Sequence, residues 1–163
     1  MKFIFLFTFL FSFQVWAQKS EPGDRIQGIT VQADSMMRDN ENETIELEGN
    51  VQVVYKNEHM SCDRAVVNLR AKTLDARGNV LIITETANVG GDRVLLDYDN
   101  DTGVIFSGYV QSGHVLFEGN LINKLNESEY TTADSRFTTC TTCPEAWSFS
   151  GSRLRAEMCG YAY

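Results

Sequence analysis

Residues 44–54 read TIELEGNVQVV, and residues 73–83 read TLDARGNVLII. The two phrases lie 29 residues apart, and the same step recurs around them. Asp34, Asp63 and Asp92 keep it, as do Thr44, Thr73 and Thr102. Gly49 and Gly78 keep it, and Gly108 comes one residue late. The unit openings ADSM, CDRA, GDRV and ADSR echo one another, and EGNL at Glu118 echoes EGNV at Glu48. A repeat of this size marks stacked units, none of which can bury its apolar face alone.

Each phrase alternates. Ile45, Leu47, Val51 and Val53 share one parity, against Glu46, Glu48, Asn50 and Gln52. Leu74, Ala76, Val80 and Ile82 do the same in the second copy. Period two is the mark of a strand with one face in the core. A Gly inside a strand weakens it and marks a bulge or sharp bend, so each phrase reads as strand, bend at Gly-Asn, strand. The segments MSCDRAVVNL and VGGDRVLLDY add further strands, and RDNENE, RAK and DNDTG supply Asn, Asp and Gly turns between them. Helix signals are nearly absent. The pattern predicts an all-β chain of roughly a dozen short antiparallel strands in hairpin-like units, closed as a sandwich or roll with an apolar interior.

The N-terminus predicts export. Lys2 precedes the apolar run FIFLFTFLFSFQV, and small Ala17 stands before Gln18. These are the parts of a cleaved signal peptide over residues 1–17. Thirteen helical residues would rise roughly 20 Å, short of the ~30 Å hydrocarbon core. No Cys follows the cut, so a lipoprotein anchor is not indicated. Residues 18–28 read as a linker, 29–155 as the domain, and 156–163 as an atypical tail. The net charge of −8 argues against nucleic acid and against docking by charge on anionic lipid heads.

The chemistry-bearing residues are sparse. His59 and His114 are the only histidines and lack ligand spacing to other donors, so no metal and no cofactor is expected. There is no Ser–His–Asp arrangement, no phosphate loop and no H-E-x-x-H, and paired acids such as Glu46 and Glu48 face solvent on the strand reading. An enzyme is therefore not expected. Cys62, Cys140, Cys143 and Cys159 allow three complete pairings. In an exported chain Cys62, Cys140 and Cys143 are candidates for a disulfide, either Cys140–Cys143 or one of these to Cys62.

The units ADSM…ETIELEGNVQV, CDRA…KTLDARGNVLI and GDRVLLDYDNDTGVI resemble the OstA-like (organic solvent tolerance) domain family over about residues 29–155. The later segment YTTADSRFTTCTTCPEAWSFSGSRLRAE is similar to the place where the family's outer-membrane lipopolysaccharide-assembly protein leaves its periplasmic domain for its β-barrel. That resemblance implies an N-terminal periplasmic domain cut short before the barrel, with Cys159 in a tail unlike the family's continuation. A soluble bridge protein of the same family is the alternative, and a non-lipid β-solenoid module is a third reading.

The resemblance further implies a V-shaped β-jellyroll that binds lipopolysaccharide and passes it across the periplasm. Its lining would come from the core-parity residues Ile45, Leu47, Val51, Val53, Leu74, Val80, Ile82, Val94, Leu96, Ile105, Val115 and Phe117. Implied partners are a soluble periplasmic protein of the same fold, stacked edge to edge through residues 29–36, and in the intact family protein the barrel and its lipoprotein plug.

Overall fold

The computed structural model describes residues 24–26 (as backbone), 29–126, 128–140 and 147–157. The expected signal peptide, Cys143 and Cys159 lie outside the described residues. Eleven strands follow in order: β1 Asp24–Ile26, β2 Ile29–Gln32, β3 Ser35–Asp39, β4 Thr44–Tyr55, β5 Glu58–Asn68 and β6 Thr73–Ile83. After these come β7 Asn88–Asp97, β8 Thr102–Ser112, β9 Val115–Lys124, β10 Glu129–Thr138 and β11 Phe149–Glu157. All join one antiparallel sheet in the order β1-β2-β4-β5-β6-β7-β8-β9-β10-β11, with β3 on the other half of β4. β1 falls inside the stretch read as a linker.

The expected bend at Gly-Asn is real, but it does not divide the strand. β4 runs unbroken through Gly49-Asn50, and β6 through Gly78-Asn79. The register against β5 slips between Glu48 and Val51, and that of β6 against β7 between Arg77 and Val80. These are β-bulges, in which one extra residue is absorbed while the ladder continues on both sides. Gly49 and Asn50 take φ of 78° and 46°, Gly78 and Asn79 of 73° and 48°. Left-handed backbone suits Gly without penalty and Asn at little cost, which is why the pair recurs. In the third unit the positive φ falls on Ser107, before the late Gly108.

The bends fold the sheet on itself. Val53, Tyr55, Met60 and Ile82 lie at one end of their strands; Val67, Leu74, Leu96 and Tyr98 belong to the opposite end. Both sets line one cavity. The architecture is thus a single sheet creased along its bulges, its two halves facing as the walls of a V-shaped jellyroll, rather than two separate sheets. The core follows the inner face, with Ile45, Leu47, Val51, Val94, Ile105, Val110, Phe117 and Ile122 almost wholly buried.

Parity changes at the crease in β5, β8 and β9. In β5 the buried positions are Met60 and Cys62 before it, then Ala65 and Val67 after it. In β8 they are Ile105 and Val110, and in β9 Phe117 and Ile122. In β4 and β6 the extra residue of the bulge restores the alternation, so Ile45, Leu47, Val51 and Val53 keep one parity across the bend, as do Ala76, Val80 and Ile82. Turns carry side-chain locks: Asp39 accepts from the amides of Glu41 and Asn42, and Asp97 from those of Asp99 and Asn100. Asn42 and Asn100 return a side-chain bond to the same two carboxylates, each at 2.7 Å. These Asx turns are the structural content of the Asn/Asp clusters.

Candidate functional site

The candidate site is the oily interior between the two walls. Its open part is a cavity of about 70 Å³ lined by Ile29, Val53, Tyr55, Glu58, Met60, Val67, Leu74, Ile82, Leu96 and Tyr98. Glu58 is the one carboxylate in that lining. Tyr55 from the end of β4 and Tyr98 just past β7 meet across the mouth, ring centroids 6.3 Å apart and tilted by 52°. The Tyr98 hydroxyl donates to the Asn68 carbonyl at 3.4 Å. Burial pushes the Tyr98 phenol above its ordinary value. The Lys56 ammonium stands 5.0 Å from the Tyr55 ring centroid, a cation–π distance.

The twelve residues expected to line the interior separate into three groups. Val53, Leu74, Ile82 and Leu96 border the cavity. Ile45, Leu47, Val51, Val80, Val94, Ile105 and Phe117 are packed into the continuous core behind it. Val115 stands apart: it is half-buried beside the β8–β9 turn, opposite Ser112, outside the buried cluster. Sequence reasoning missed Ile29, Tyr55, Met60, Val67 and Tyr98 as cavity residues. Alternation in the CDRA unit could have flagged Met60 with Cys62, whereas Val67 falls on the opposite parity beyond the crease. Nothing local could have flagged the meeting of Tyr55 with Tyr98.

Of the cysteines, Cys62 requires a correction. It is a free thiol in the core, not bridged to Cys140, and the expected pairings that involve Cys143 lie outside the described residues. Its position on the inner face of β5 surrounds it with apolar neighbours, and its Sγ–H donates to the Arg64 carbonyl at 3.3 Å. Burial pushes its thiol up to about 11. The Cys140 amide donates to Thr138 Oγ1 at 2.9 Å. His59 is exposed on β5 and His114 is exposed in the β8–β9 turn. Among the described residues no three His, Cys, Asp or Glu side chains gather as a metal site.

The outer face holds a charge cluster. Asp75 receives two hydrogen bonds from Arg93, at 2.9 and 2.8 Å, and two from Arg77, at 3.2 and 2.7 Å. Partial burial pushes the Asp75 carboxyl up, but both guanidiniums pull it further down, to about 2. A polar depression of about 770 Å³ follows the outer crease at residues 107–109, 118–120, 134–136 and 150–152. It opens to solvent, and Arg136 pairs with Glu118 there at 3.4 Å.

No protein-family model matches the chain, and no curated protein matches it in sequence. Among solved structures it is similar to LptH, described as the LptA-homologous periplasmic component of the conserved lipopolysaccharide transport device from Pseudomonas aeruginosa. The TM-score is 0.60 over 80% of this chain and 98% of LptH, at 17% identity. The chain has the β-jellyroll of LptH.

Proposed function

We propose that this chain is a periplasmic lipopolysaccharide carrier of the bridge type. The observation that carries the reading is the cavity between the walls, bordered by aliphatic and aromatic side chains with a single carboxylate, on the jellyroll that LptH shares. An acyl chain in water costs about 0.8 kcal/mol for each exposed methylene. A wall of Val, Leu, Ile and Met side chains removes that cost without fixing the chain by specific contacts, so neighbouring positions along the interior are close in energy and the lipid can move. The sugar and phosphate head remains in water, where an acidic protein surface is tolerated. The role is transport rather than catalysis, and the apolar run at residues 3–15 would deliver the chain to the periplasm.

The bridge form is favoured because the likeness spans 98% of LptH. The sheet also leaves edges open to strand addition, β1 and β3 at its N-terminal end and β11 at its C-terminal end. β3 pairs only with β4 among the described residues and is exposed along its whole length. β11 pairs only with β10 among them, and carries exposed Phe149 beside Trp147. Unpaired ladders of this kind template the next roll, so the proposed protein partner is another jellyroll stacked end to end.

A second reading makes the chain the periplasmic domain of the outer-membrane lipopolysaccharide-assembly protein, whose partners would be its own barrel and that barrel's lipoprotein plug. The Thr-Cys stretch and Trp147 at residues 138–147 favour it.

The test places a photo-crosslinking side chain at Ile82 or Leu96, and separately at Glu46 or Gln52, in cells exporting the full chain. Lipopolysaccharide adducts are expected at the first pair and not at the second. Equal labelling at both would defeat the carrier reading.

A further inference from the structure

We propose that Tyr55 and Tyr98 form a clasp that shuts the mouth of the roll in water, and that an acyl chain enters by parting this one ring pair. The inference rests on the carrier reading and specifies its entry step.

Three observations carry it. First, the cavity beneath the two rings holds about 70 Å³, under half of the ~150 Å³ of an engineered cavity that accepts benzene. The closed interior is therefore too small for a lipid chain, and the walls must separate to admit one. Second, among the described strands only paired neighbours approach one another closely along the backbone. The two walls meet through side chains, so separating them breaks no ladder hydrogen bond. Third, Tyr55 and Tyr98 sit at the rims of opposite walls, on strand ends that point away from the crease, and their rings touch across the gap.

Both rings are braced from outside. Lys56 stacks its ammonium on Tyr55, and Lys72 pairs with Asp99 beside Tyr98. The Tyr98 hydroxyl bond to the Asn68 carbonyl ties that ring to its own wall. Each ring is thus braced on its own wall, and the ring–ring contact joins the two walls at the rim. Inward of the clasp lie Leu74 and Leu96 on one wall and Met60 and Ile82 on the other, the surface an entering chain would meet next.

The test uses the full-length protein, with uptake of the apolar dye N-phenylnaphthylamine followed by stopped-flow fluorescence. Photo-oxidation should couple Tyr55 to Tyr98 as dityrosine, located by peptide mapping, and the stapled protein should lose dye uptake. Irradiated Tyr98→Phe, which keeps the ring but cannot couple, should retain uptake. Tyr98→Ala should take up dye about three- to tenfold faster, the rate equivalent of one aromatic pair. Failure of Tyr55 and Tyr98 to couple, or unchanged uptake after stapling, overturns the clasp and leaves the carrier reading standing. If neither wild type nor Tyr98→Ala takes up dye, the carrier reading and the clasp fall together.

Discussion

Asp63 accepts a hydrogen bond from the Asn79 side chain across the β5–β6 pair, at 2.9 Å, and its Oδ2 lies 2.3 Å from where a side chain on Gly78 would begin. One unit earlier Asp34 does the same to Asn50, at 2.8 Å, with its Oδ2 2.4 Å from the corresponding point on Gly49. The echoed Asp and the echoed Gly-Asn are thus two halves of one device. The carboxylate fills the notch left by the missing side chain and holds the Asn in its left-handed turn.

This device predicts a coupled pair of substitutions. Gly78→Ala should destabilise the fold by roughly 1–3 kcal/mol, since it forces a left-handed Ala against a carboxylate. Asp63→Ala should cost roughly 0.5–1.5 kcal/mol for the lost bond, toward the lower figure because the bond is exposed. The double variant should cost less than the two together, by roughly 0.5 kcal/mol or more, because the clash partner is gone. Urea unfolding of the four proteins checks this, and strict additivity would refute the notch.

Asp75 predicts an acid-side loss of stability. Its folded carboxyl, at about 2, lies below the ordinary 3.8. A depressed carboxyl stabilises the fold above the unfolded value and ceases to do so as pH falls through the folded one. The contribution should therefore disappear between about pH 4 and pH 2. Its size should be about 1–2 kcal/mol, allowing for screening around the half-exposed arginines. Subtracting the pH profile of Asp75→Asn from that of wild type isolates it. A flat difference curve would contradict the assignment.

The crease predicts opposite outcomes at adjacent residues. Ile122 is fully buried while Leu121 is 37% exposed. Ile122→Ala should cost about 2–5 kcal/mol, and Leu121→Ala no more than about 0.5 kcal/mol. Strict alternation inward from Phe117 would have made Leu121 the buried one, so the pair of midpoints reads the parity change directly.

Cys62 predicts a silent thiol. With its pKa near 11, the thiolate fraction at pH 8 is about a hundredfold below that of a thiol at its ordinary value. Iodoacetamide should leave Cys62 unmodified in the native protein and modify it readily in urea, as read by mass spectrometry of its peptide. Fast native labelling would mean that the inner face of β5 is open to solvent.

The sequence by itself determined the strand character, the inward parity of β4 and β6, the placement of the bends and the stacked repeat. These depend on local rules: period two, and the tolerance of Gly and Asn for left-handed backbone. It read each bend as a break between short strands, because composition cannot distinguish a bulge that keeps its ladder from a turn that ends it. Only the tertiary structure decided that Asp63 locks Asn79 and that the inward face shifts parity at the crease in β5, β8 and β9 while β4 and β6 keep it. It also decided that Val115 lies outside the core and that Tyr55 meets Tyr98 over the mouth. Each of those depends on where the folded sheet brings strand ends that are far apart along the chain, and parity names only the face a residue points to, not what stands opposite.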